Sequence, residues 1–348
     1  MNMKLTFHFL FLIFSFSSFG QSNMDSLKAP IMTSKFALAL HGGAGNMVKR
    51  KFTPEQEDAY KKVMDEALVL GYSMLQKGAI ATDVVEAVIK VMEDSPLYNA
   101  GKGAVFSNEG RNEMDAAIMN GKDLKCGAVT NLRVVKNPIS LAKEIMNHSQ
   151  FVFLNGEGAE KFAKLQGIEM VDTSYFFVQK RWNEMLKIRD SSKTQLDNEG
   201  TKGAIDNLDS INKFGTVGCV VLDGFGNIAA GTSTGGITNK KFNRIGDSPL
   251  IGAGTYANNE SCAVSCTGHG EDFIRLVAAH QVHSYMFFKH KSVEKAAEIV
   301  IQKELTGIGG RGGLIAIDRQ GRITFQFNTT GMFRGSIDTK GEKFVGIY

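Results

Sequence analysis

A polar tract in the middle of the chain constrains the fold more than any other feature of the sequence. Residues 183–213 read NEMLKIRDSSKTQLDNEGTKGAIDNLDSINK, and the latter half is rich in Ser, Asp, Asn and Gly without sustained apolar periodicity. Long connections without secondary structure are uncommon inside compact domains, and those that occur often serve function. We therefore predict an exposed, mobile linker over about 185–215, which ends at Gly215–Thr216.

Apolar patterning on both sides of this linker predicts the fold class. The chain has 348 residues, 43% of them hydrophobic, which is enough to bury a substantial core. Strands cluster, then helices cluster, and then strands return, which predicts an α+β fold in which helices cover mainly antiparallel sheets. The net charge of +4 is scattered along the chain, so we expect no nucleic-acid partner. The predicted strands are 35–41, 216–223, 227–233, 261–268, 312–318 and 323–327, and the longest predicted helices are 53–78, 82–95, 271–288 and 292–305.

The first twenty residues have the plan of a secretory signal peptide. MNMK carries a positive charge, LTFHFLFLIFSF is a short apolar core, and SSFG places small residues before a cleavage point near Gly20–Gln21. The apolar core is short for a membrane span, although a membrane anchor or a buried N-terminal segment is the alternative. We predict a signal peptide over 1–20, a single mature domain over 21–348 without a membrane segment, and export to the periplasm or the cell exterior.

Two glycine-rich motifs keep a serine hydrolase open as an alternative. GTSTG at 231–235 matches the G-x-S-x-G nucleophile elbow, and HGGAG at 41–45 is similar to an esterase oxyanion loop. Only a short mature segment precedes HGGAG, whereas that loop follows the third strand of an esterase, and the residues after GTSTG lack an amphipathic stripe. In this interpretation Ser233 is the nucleophile of a secreted esterase, and its base is one of His269, His280, His283 and His290.

Thr216 permits a different chemistry. A threonine hydroxyl is a poor nucleophile near pH 7 unless a base lies beside it. If the Gly215–Thr216 bond is cut, the new α-amino group, with a reference pKa of about 7.7–8.0, can accept the hydroxyl proton. Glycine at 215 relieves steric limits on a strained peptide bond, and the linker provides loose ends. The sequence therefore contains the parts of a self-cleaving threonine enzyme.

Longer motifs resemble a known family. The segment GTVGCVVLDGFGNIAAGTSTGGITNKKFNRIGDSPLIGAGTYANNESCAVSCTGHGEDFIR closely resembles the plant-type L-asparaginase / isoaspartyl peptidase family of N-terminal nucleophile hydrolases, and LALHGGAGN, SPLYNAGKGAVF, EMDAAIM and FNTTGMFRG match as well. The resemblance extends from about Lys35 to the C-terminus. It implies a four-layer αββα sandwich that is autocleaved into an α chain, 21–215, and a β chain, 216–348.

The resemblance also implies a reaction. The enzyme would hydrolyse the side-chain amide of β-aspartyl dipeptides and L-asparagine and release L-aspartate. A related branch of the family acts on glycoasparagine and carries His-Asp-Thr-Ile-Gly around its nucleophile. Because this chain has NKFGTVG instead, glycosylasparaginase activity is the weaker alternative.

The residues around the nucleophile take their roles from the resemblance. Thr216 matches the nucleophile released by cleavage after Gly215. Thr234 matches a second threonine that orients the nucleophile, and Asn99 would contact the nucleophile region.

The substrate would be held by a second group of residues. Arg244 would bind its α-carboxylate and Asp247 its α-ammonium, and a guanidinium three residues from a carboxylate also suits a zwitterion on chemical grounds. Thr267 and Gly268 match the oxyanion hole. Gly270 would line the pocket. His269 occupies a variable position beside the oxyanion hole, where it either fills space, the favoured role, or tunes substrate preference or the response to pH.

The remaining implications concern ions and assembly. The resemblance implies no cofactor for catalysis, a small-molecule or dipeptide substrate and a homodimer of αβ protomers. It also implies a structural sodium ion bound by main-chain carbonyl groups. The residues that match this loop are Met92, Glu93, Ser95, Tyr98, Ala100 and Lys102.

Overall fold

The structure is a computed structural model that describes residues 35–49, 52–196 and 215–348, with the backbone alone at 191–196. The predicted signal peptide over 1–20, the cleavage point at Gly20–Gln21 and residues 197–214 of the predicted linker lie outside these ranges.

The helices of the described ranges fall into two groups separated in sequence by the linker. The first group begins at a capping box, in which the Thr53 hydroxyl accepts from Gln56 N–H and the Gln56 side chain accepts from Thr53 N–H. The α-helices are α1 (Pro54–Gln76), α2 (Ala81–Glu93), α3 (Pro138–His148), α4 (Gly156–Leu165), α5 (Gln179–Leu196), α6 (Gly270–Leu276), α7 (Ala278–Lys289) and α8 (Val293–Glu298). A π-helical segment, Ile299–Leu305, extends α8.

The described strands form two sheets. An eight-stranded sheet has the order β12-β11-β1-β5-β6-β2-β3-β4, with every neighbouring pair antiparallel except β3 and β4. A four-stranded antiparallel sheet has the order β10-β9-β8-β7. The strands are β1 (Ala37–Gly45), β2 (Met114–Asn120), β3 (Cys126–Leu132), β4 (Phe153–Asn155), β5 (Val217–Leu222), β6 (Ile228–Thr234), β7 (Thr255–Ala257), β8 (Cys262–Gly268), β9 (Gly312–Asp318), β10 (Ile323–Phe327), β11 (Gly331–Asp338) and β12 (Lys343–Gly346).

Strand alternation distributes the core among three apolar clusters. In β5, Val221 joins a cluster with residues of α1, α2 and α3, whereas its neighbour Val220 joins a cluster with Ile315 of the other sheet. In β9, Leu314 joins a third cluster with residues of α7 and α8. The apolar side chains on both faces of these strands are therefore buried, and the predicted mixed class of helices with mainly antiparallel sheets is confirmed.

The start of the predicted linker needs correction. α5 continues to Leu196, so residues 185–196 are helical and not irregular as predicted. The reason is a short apolar stripe, because Met185 and Ile188 are buried and the Trp182 ring packs edge-on against Phe106. Spacing of three residues places such side chains on one face of a helix.

Two further observations concern the described residues. All four cysteines, Cys126, Cys219, Cys262 and Cys266, are free thiols. Among the helices of the described ranges, none combines the length and the apolar character that a membrane crossing requires.

Candidate active site

Thr216 lies where the register of two strands aligns two threonines. Val217 of β5 pairs with Ser233 of the antiparallel strand β6, so continuing the pairing by one residue sets Thr216 opposite Thr234. The Thr216 hydroxyl donates to Thr234 Oγ1 at 3.1 Å. Thr234 Oγ1 also accepts from Gly236 N–H at 3.0 Å. Because Thr216 is only 7% exposed, this hydroxyl pair is largely shielded from solvent.

The Gly215–Thr216 peptide lies beside a strand from each sheet. Gly43 of β1 has a φ of +110°, and a Cβ there would lie 2.5 Å from Gly215 N. Thr267 Oγ1, from β8, lies 3.3 Å from the place of a Cβ on residue 215 and accepts from Ala44 N–H at 3.4 Å. A side chain at 43 would collide with Gly215, and one at 215 would press against Thr267. Glycine at these positions therefore lets the peptide approach both strands.

The predicted oxyanion residues end β8. Thr267 is buried, whereas Gly268 is exposed. A Cβ on Gly268 would lie 2.6 Å from both Arg311 O and Phe273 Cε2, so only glycine fits there. The structure brings Thr267 to the Gly215–Thr216 peptide, and Gly268 is the next residue on the same strand.

Asn99 supports the loop that follows Thr234. Its side chain donates to Gly236 O at 2.7 Å and accepts from Val105 N–H at 3.0 Å, and its carbonyl accepts from Gly235 N–H at 3.0 Å. Asn99 thus contacts the nucleophile region through Gly235 and Gly236, which immediately follow Thr234.

Arg244 and Asp247 converge on Gly270. A Cβ on Gly270 would lie 2.8 Å from Arg244 Nη2 and 3.0 Å from Asp247 Oδ1. Burial raises the pKa of Asp247 to about 7, although its own backbone N–H and Arg244 oppose this shift. Asp247 Oδ2 is buried and has no hydrogen-bond partner among the described residues. An unpaired carboxylate oxygen beside an arginine can accept a cationic group while the arginine takes an anionic one.

Glu271 completes this charged group, and we did not predict its role. Its carboxylate accepts from Arg244 Nε at 2.9 Å and from Nη2 at 2.8 Å. These bonds lower the pKa of Glu271 to about 2. Burial of the Arg244 guanidinium acts to lower its pKa, but the bonds to Glu271 outweigh burial, so the pKa of Arg244 is raised. His269 Nε2 lies 3.3 Å from Glu271 Oε2. Glu271 stands in the CTGHGE motif, but its partner lies 27 residues away, which no local pattern indicates.

A second set of buried charged residues lies around Thr234 and Gly236. Asp115 of β2 pairs with Thr234, is fully buried, and has a pKa raised by that burial. Lys240 is also buried and donates to Glu113 O at 2.8 Å. A Cβ on Gly236 would lie 3.3 Å from the Lys240 ammonium. The motif EMDAAIM contains both acids but did not indicate these contacts.

Ser233, the nucleophile of the alternative esterase, points away from this site. It is fully buried, and its hydroxyl donates to Glu93 Oε1 at 2.6 Å. Glu93 Oε1 also accepts from Ile139 N–H at 3.1 Å, and burial raises the pKa of Glu93 to about 8 against these hydrogen bonds. A serine hydroxyl enclosed by a buried carboxyl cannot reach an external substrate, so the geometry argues against Ser233 as a nucleophile.

The predicted sodium loop folds back on two glycines. A Cβ on Gly101, whose φ is +51°, would clash with Glu93 O, and a Cβ on Gly103 would clash with Tyr98 O. Glycine at 101 and 103 therefore lets the turn pack closely against these carbonyl oxygens. Carbonyl oxygens are suitable ligands for a hard monovalent cation, so the residues fit the expected ion. Within the described ranges, no group of three or more His, Cys, Asp or Glu side chains could hold a metal ion.

The Thr216–Thr234 hydroxyl pair, which lies where two central strands pair, and the Arg244–Asp247 pair together indicate a site of the hydrolase class. The chain belongs to the asparaginase family, because the family described as "Asparaginase" matches residues 34–347. Family membership, predicted from the motifs, is confirmed.

The chain is similar to curated relatives along most of its length. It is 44% identical to "Isoaspartyl peptidase" of Salmonella typhimurium over 90% of this chain and 99% of the relative. It is also 44% identical to "Isoaspartyl peptidase" of Escherichia coli over 90% of this chain and 96% of the relative. It is 37% identical to "Isoaspartyl peptidase/L-asparaginase" of Xenopus laevis over 90% of this chain and 96% of the relative.

Proposed function

We propose that this chain is an autoprocessed threonine hydrolase that cleaves the side-chain amide of β-aspartyl dipeptides and L-asparagine and releases L-aspartate. The observation that carries the proposal is the 3.1 Å contact between the Thr216 and Thr234 hydroxyls, beside the Gly215–Thr216 peptide bond. The names of its relatives, which include isoaspartyl peptidases of two bacteria, support the same activity.

Processing uses the Thr216 hydroxyl inside the intact chain. The hydroxyl oxygen attacks the Gly215 carbonyl carbon, the C–N bond to Thr216 breaks, and the proton released by the hydroxyl passes to the amide nitrogen, which becomes an amine. Water then hydrolyses the resulting ester and leaves a carboxylate on Gly215 and a free amine on Thr216. Thr267, whose hydroxyl lies beside Gly215, can donate to the developing oxyanion.

Substrate binding uses the charged residues. The Arg244 guanidinium, held by Glu271 through Nε and Nη2, retains donors on Nη1 for the α-carboxylate. The α-ammonium pairs with Asp247, whose Oδ2 has no other partner among the described residues. A zwitterionic aspartyl unit is thereby anchored at its α-carbon, which leaves its side-chain carbonyl for Thr216.

Hydrolysis then proceeds through a covalent ester. The Thr216 α-amine accepts the hydroxyl proton while the oxygen attacks the side-chain carbonyl carbon. Thr267 Oγ1–H and Gly268 N–H donate to the oxyanion, and the amine returns the proton to the leaving nitrogen. Water, activated by the same amine, hydrolyses the β-aspartyl ester to free aspartate and regenerates Thr216.

Several structural proposals accompany this activity. The three apolar clusters support a four-layer αββα sandwich, and exposed Phe287 and Phe288 on α7 support a homodimer of αβ protomers. The carbonyl groups of Met92, Glu93, Ser95, Tyr98, Ala100 and Lys102 would hold a sodium ion that stabilises the turn around Asn99. Its test is a higher melting temperature in sodium chloride than in choline chloride of equal ionic strength.

N-terminal sequencing of the purified protein tests processing and export together. We expect one fragment that begins Thr-Val-Gly-Cys and another that begins near Gln21. Thr216→Ala should remain a single uncut chain and lose hydrolysis of β-aspartyl dipeptides to background, whereas Thr216→Ser should still be cut. An uncut wild-type chain, or a Thr216→Ala variant with wild-type activity, contradicts the proposal. Glycoasparagine in the same assay tests the weaker substrate alternative.

A further inference from the structure

A chain of buried hydroxyl groups crosses the interface between the two sheets. His41 Nε2 of β1 lies 2.9 Å from Ser265 Oγ of β8, which lies 2.7 Å from Thr232 Oγ1 of β6. Thr255 Oγ1 of β7 lies 2.6 Å from Thr232 Oγ1 and donates to Ser248 O at 3.0 Å. Each sheet thus contributes two side chains, and contacts alternate between the sheets.

This chain is unusual for its surroundings. The side chains are fully buried, yet the same interface elsewhere consists of apolar residues such as Ala39, Val220 and Ile315. Burying hydroxyl groups is costly unless each is hydrogen-bonded, so an interface that served stability alone would be apolar here too. Hydrogen bonds are directional, whereas apolar contacts are not. The chain therefore fixes the distance and register between the sheets at this position.

Gly218 leaves the space in which the His41 and Ser265 side chains of this hydroxyl chain meet. It pairs with His41 across β1 and β5, and a Cβ on Gly218 would clash with both His41 Nε2 and Ser265 Oγ. Gly218 stands two residues after Thr216. Thr216 and Gly218 are two residues apart in GTVG, about 7 Å in an extended chain, so the hydroxyl chain begins near the proposed nucleophile without contacting it.

The two ends of the chain lie at the two parts of the proposed site. At one end, burial lowers the pKa of His41 to about 3 against an opposing effect of the Thr216 backbone, so the ring is neutral. His41 pairs with Gly218, two residues after Thr216. At the other end, Ser248 follows Asp247, the residue proposed to hold the substrate ammonium. The chain thus runs from β1, which pairs with the strand that follows Thr216, to the turn proposed to anchor the substrate.

We propose that His41, Ser265, Thr232 and Thr255 are positioning residues that set the distance between Thr216 and the Asp247–Ser248 turn. This inference rests on the proposed function, because it assigns Thr216 and Asp247 their roles. Substrate anchored at Asp247 presents its side-chain carbonyl to Thr216 only if this distance is correct, and small displacements of reacting groups are costly. Loss of a hydroxyl from the chain should therefore lower kcat and leave KM nearly unchanged.

The test removes hydroxyl groups one at a time with little change in volume. The variants are Thr232→Val, Thr255→Val, Ser265→Ala and the double variant Ser265→Ala/Thr255→Val. Thr130→Val is the matched control, because Thr130 is a buried threonine of the same eight-stranded sheet whose hydroxyl bonds to Asn155. Thr232→Ser keeps the hydroxyl that Thr232→Val removes. Rates for a β-aspartyl dipeptide are divided by the number of Thr216 N-termini released, which removes the effect of incomplete folding or processing.

We expect each single variant to lose about tenfold or more in kcat per active site, whereas Thr130→Val does not. Thr232→Ser should retain most of the wild-type activity. The double variant should be only slightly less active than the less active of its two single variants, because both changes interrupt one chain. If the wild type is cut and active but the chain variants match Thr130→Val at equal melting temperature, the positioning role is wrong. If the wild type is neither cut nor active, the proposed function fails and the positioning role fails with it.

Discussion

The hydroxyl half of the site and its charged half are built by different means. In the hydroxyl half, strand pairing between β5 and β6 sets Thr216 opposite Thr234, and the contact is neutral and shielded. In the charged half, Arg244 and Asp247 lie on loops, and Glu271 holds the Arg244 guanidinium. Backbone register fixes the first half, whereas long-range ion pairing fixes the second. The halves should therefore respond to substitution in different kinetic constants.

The largest effect is expected at Thr234, in the hydroxyl half. Thr234→Val keeps the shape of the side chain but removes the oxygen that accepts from the Thr216 hydroxyl. Misorientation of the nucleophile should reduce kcat by about a hundredfold, with little change in KM. Steady-state kinetics on a β-aspartyl dipeptide checks this split.

Thr234→Ser serves as the control for Thr234→Val, because it keeps the hydroxyl and should retain most of the activity. A rise in KM at unchanged kcat in Thr234→Val would assign Thr234 to substrate binding. It would contradict the expectation that the hydroxyl half of the site affects kcat and the charged half affects KM.

The next effect concerns pH and the charged half. Burial raises the pKa of Asp247 to about 7, so its carboxyl is largely protonated below that pH and cannot pair with the substrate ammonium. As pH falls through about 7, KM should rise in the wild type. Asp247→Asn should raise KM by about tenfold or more and remove this dependence. A KM in Asp247→Asn that still rises as pH falls would show that another group titrates.

Glu271 should have a smaller effect in the same half. Glu271→Gln keeps one acceptor oxygen but loses the charge and one of the two bonds to Arg244. Because Glu271 is 44% exposed, water can replace part of that interaction, and we expect KM to rise about fivefold. Binding of aspartate, measured by calorimetry, should weaken in parallel. Equal affinity in both proteins would mean that Arg244 holds its orientation without Glu271.

The same contrast explains how much could be predicted from the sequence. The family motifs indicated Thr216, Thr234, Arg244 and Asp247, and the apolar periodicity indicated most elements, because both are local patterns. The His41–Ser265 contact joins residues 224 positions apart, and only the packing of one sheet on the other brings them together.

Local composition also misled at one place. The polar residues of α5 concealed its buried stripe at Met185 and Ile188, so the predicted linker began too early. A helix of mostly polar residues can be held by a few buried side chains, and its end depends on tertiary contacts that composition does not record.

The smallest effect on activity is expected at Ser233, which adjoins Thr234 but faces the other side of β6. Its hydroxyl donates to buried Glu93, so Ser233→Ala should change kcat/KM by less than about twofold but lower stability by about 1–3 kcal/mol. The loss should depend on pH. Because burial raises the pKa of Glu93 to about 8, the carboxyl is neutral at pH 6 and ionised at pH 9.

The Ser233 hydroxyl donates to the ionised carboxylate of Glu93, so its removal should lower the melting temperature more at pH 9 than at pH 6. Thermal unfolding of Ser233→Ala and wild type at both pH values measures this difference, and Thr130→Val supplies a control whose loss should not vary with pH. Because strand alternation separates adjacent side chains onto opposite faces, Thr234→Val and Ser233→Ala should divide cleanly into a catalytic and a stability defect. Loss of hydrolysis in Ser233→Ala at full stability would restore the serine nucleophile and remove Thr216 from that role.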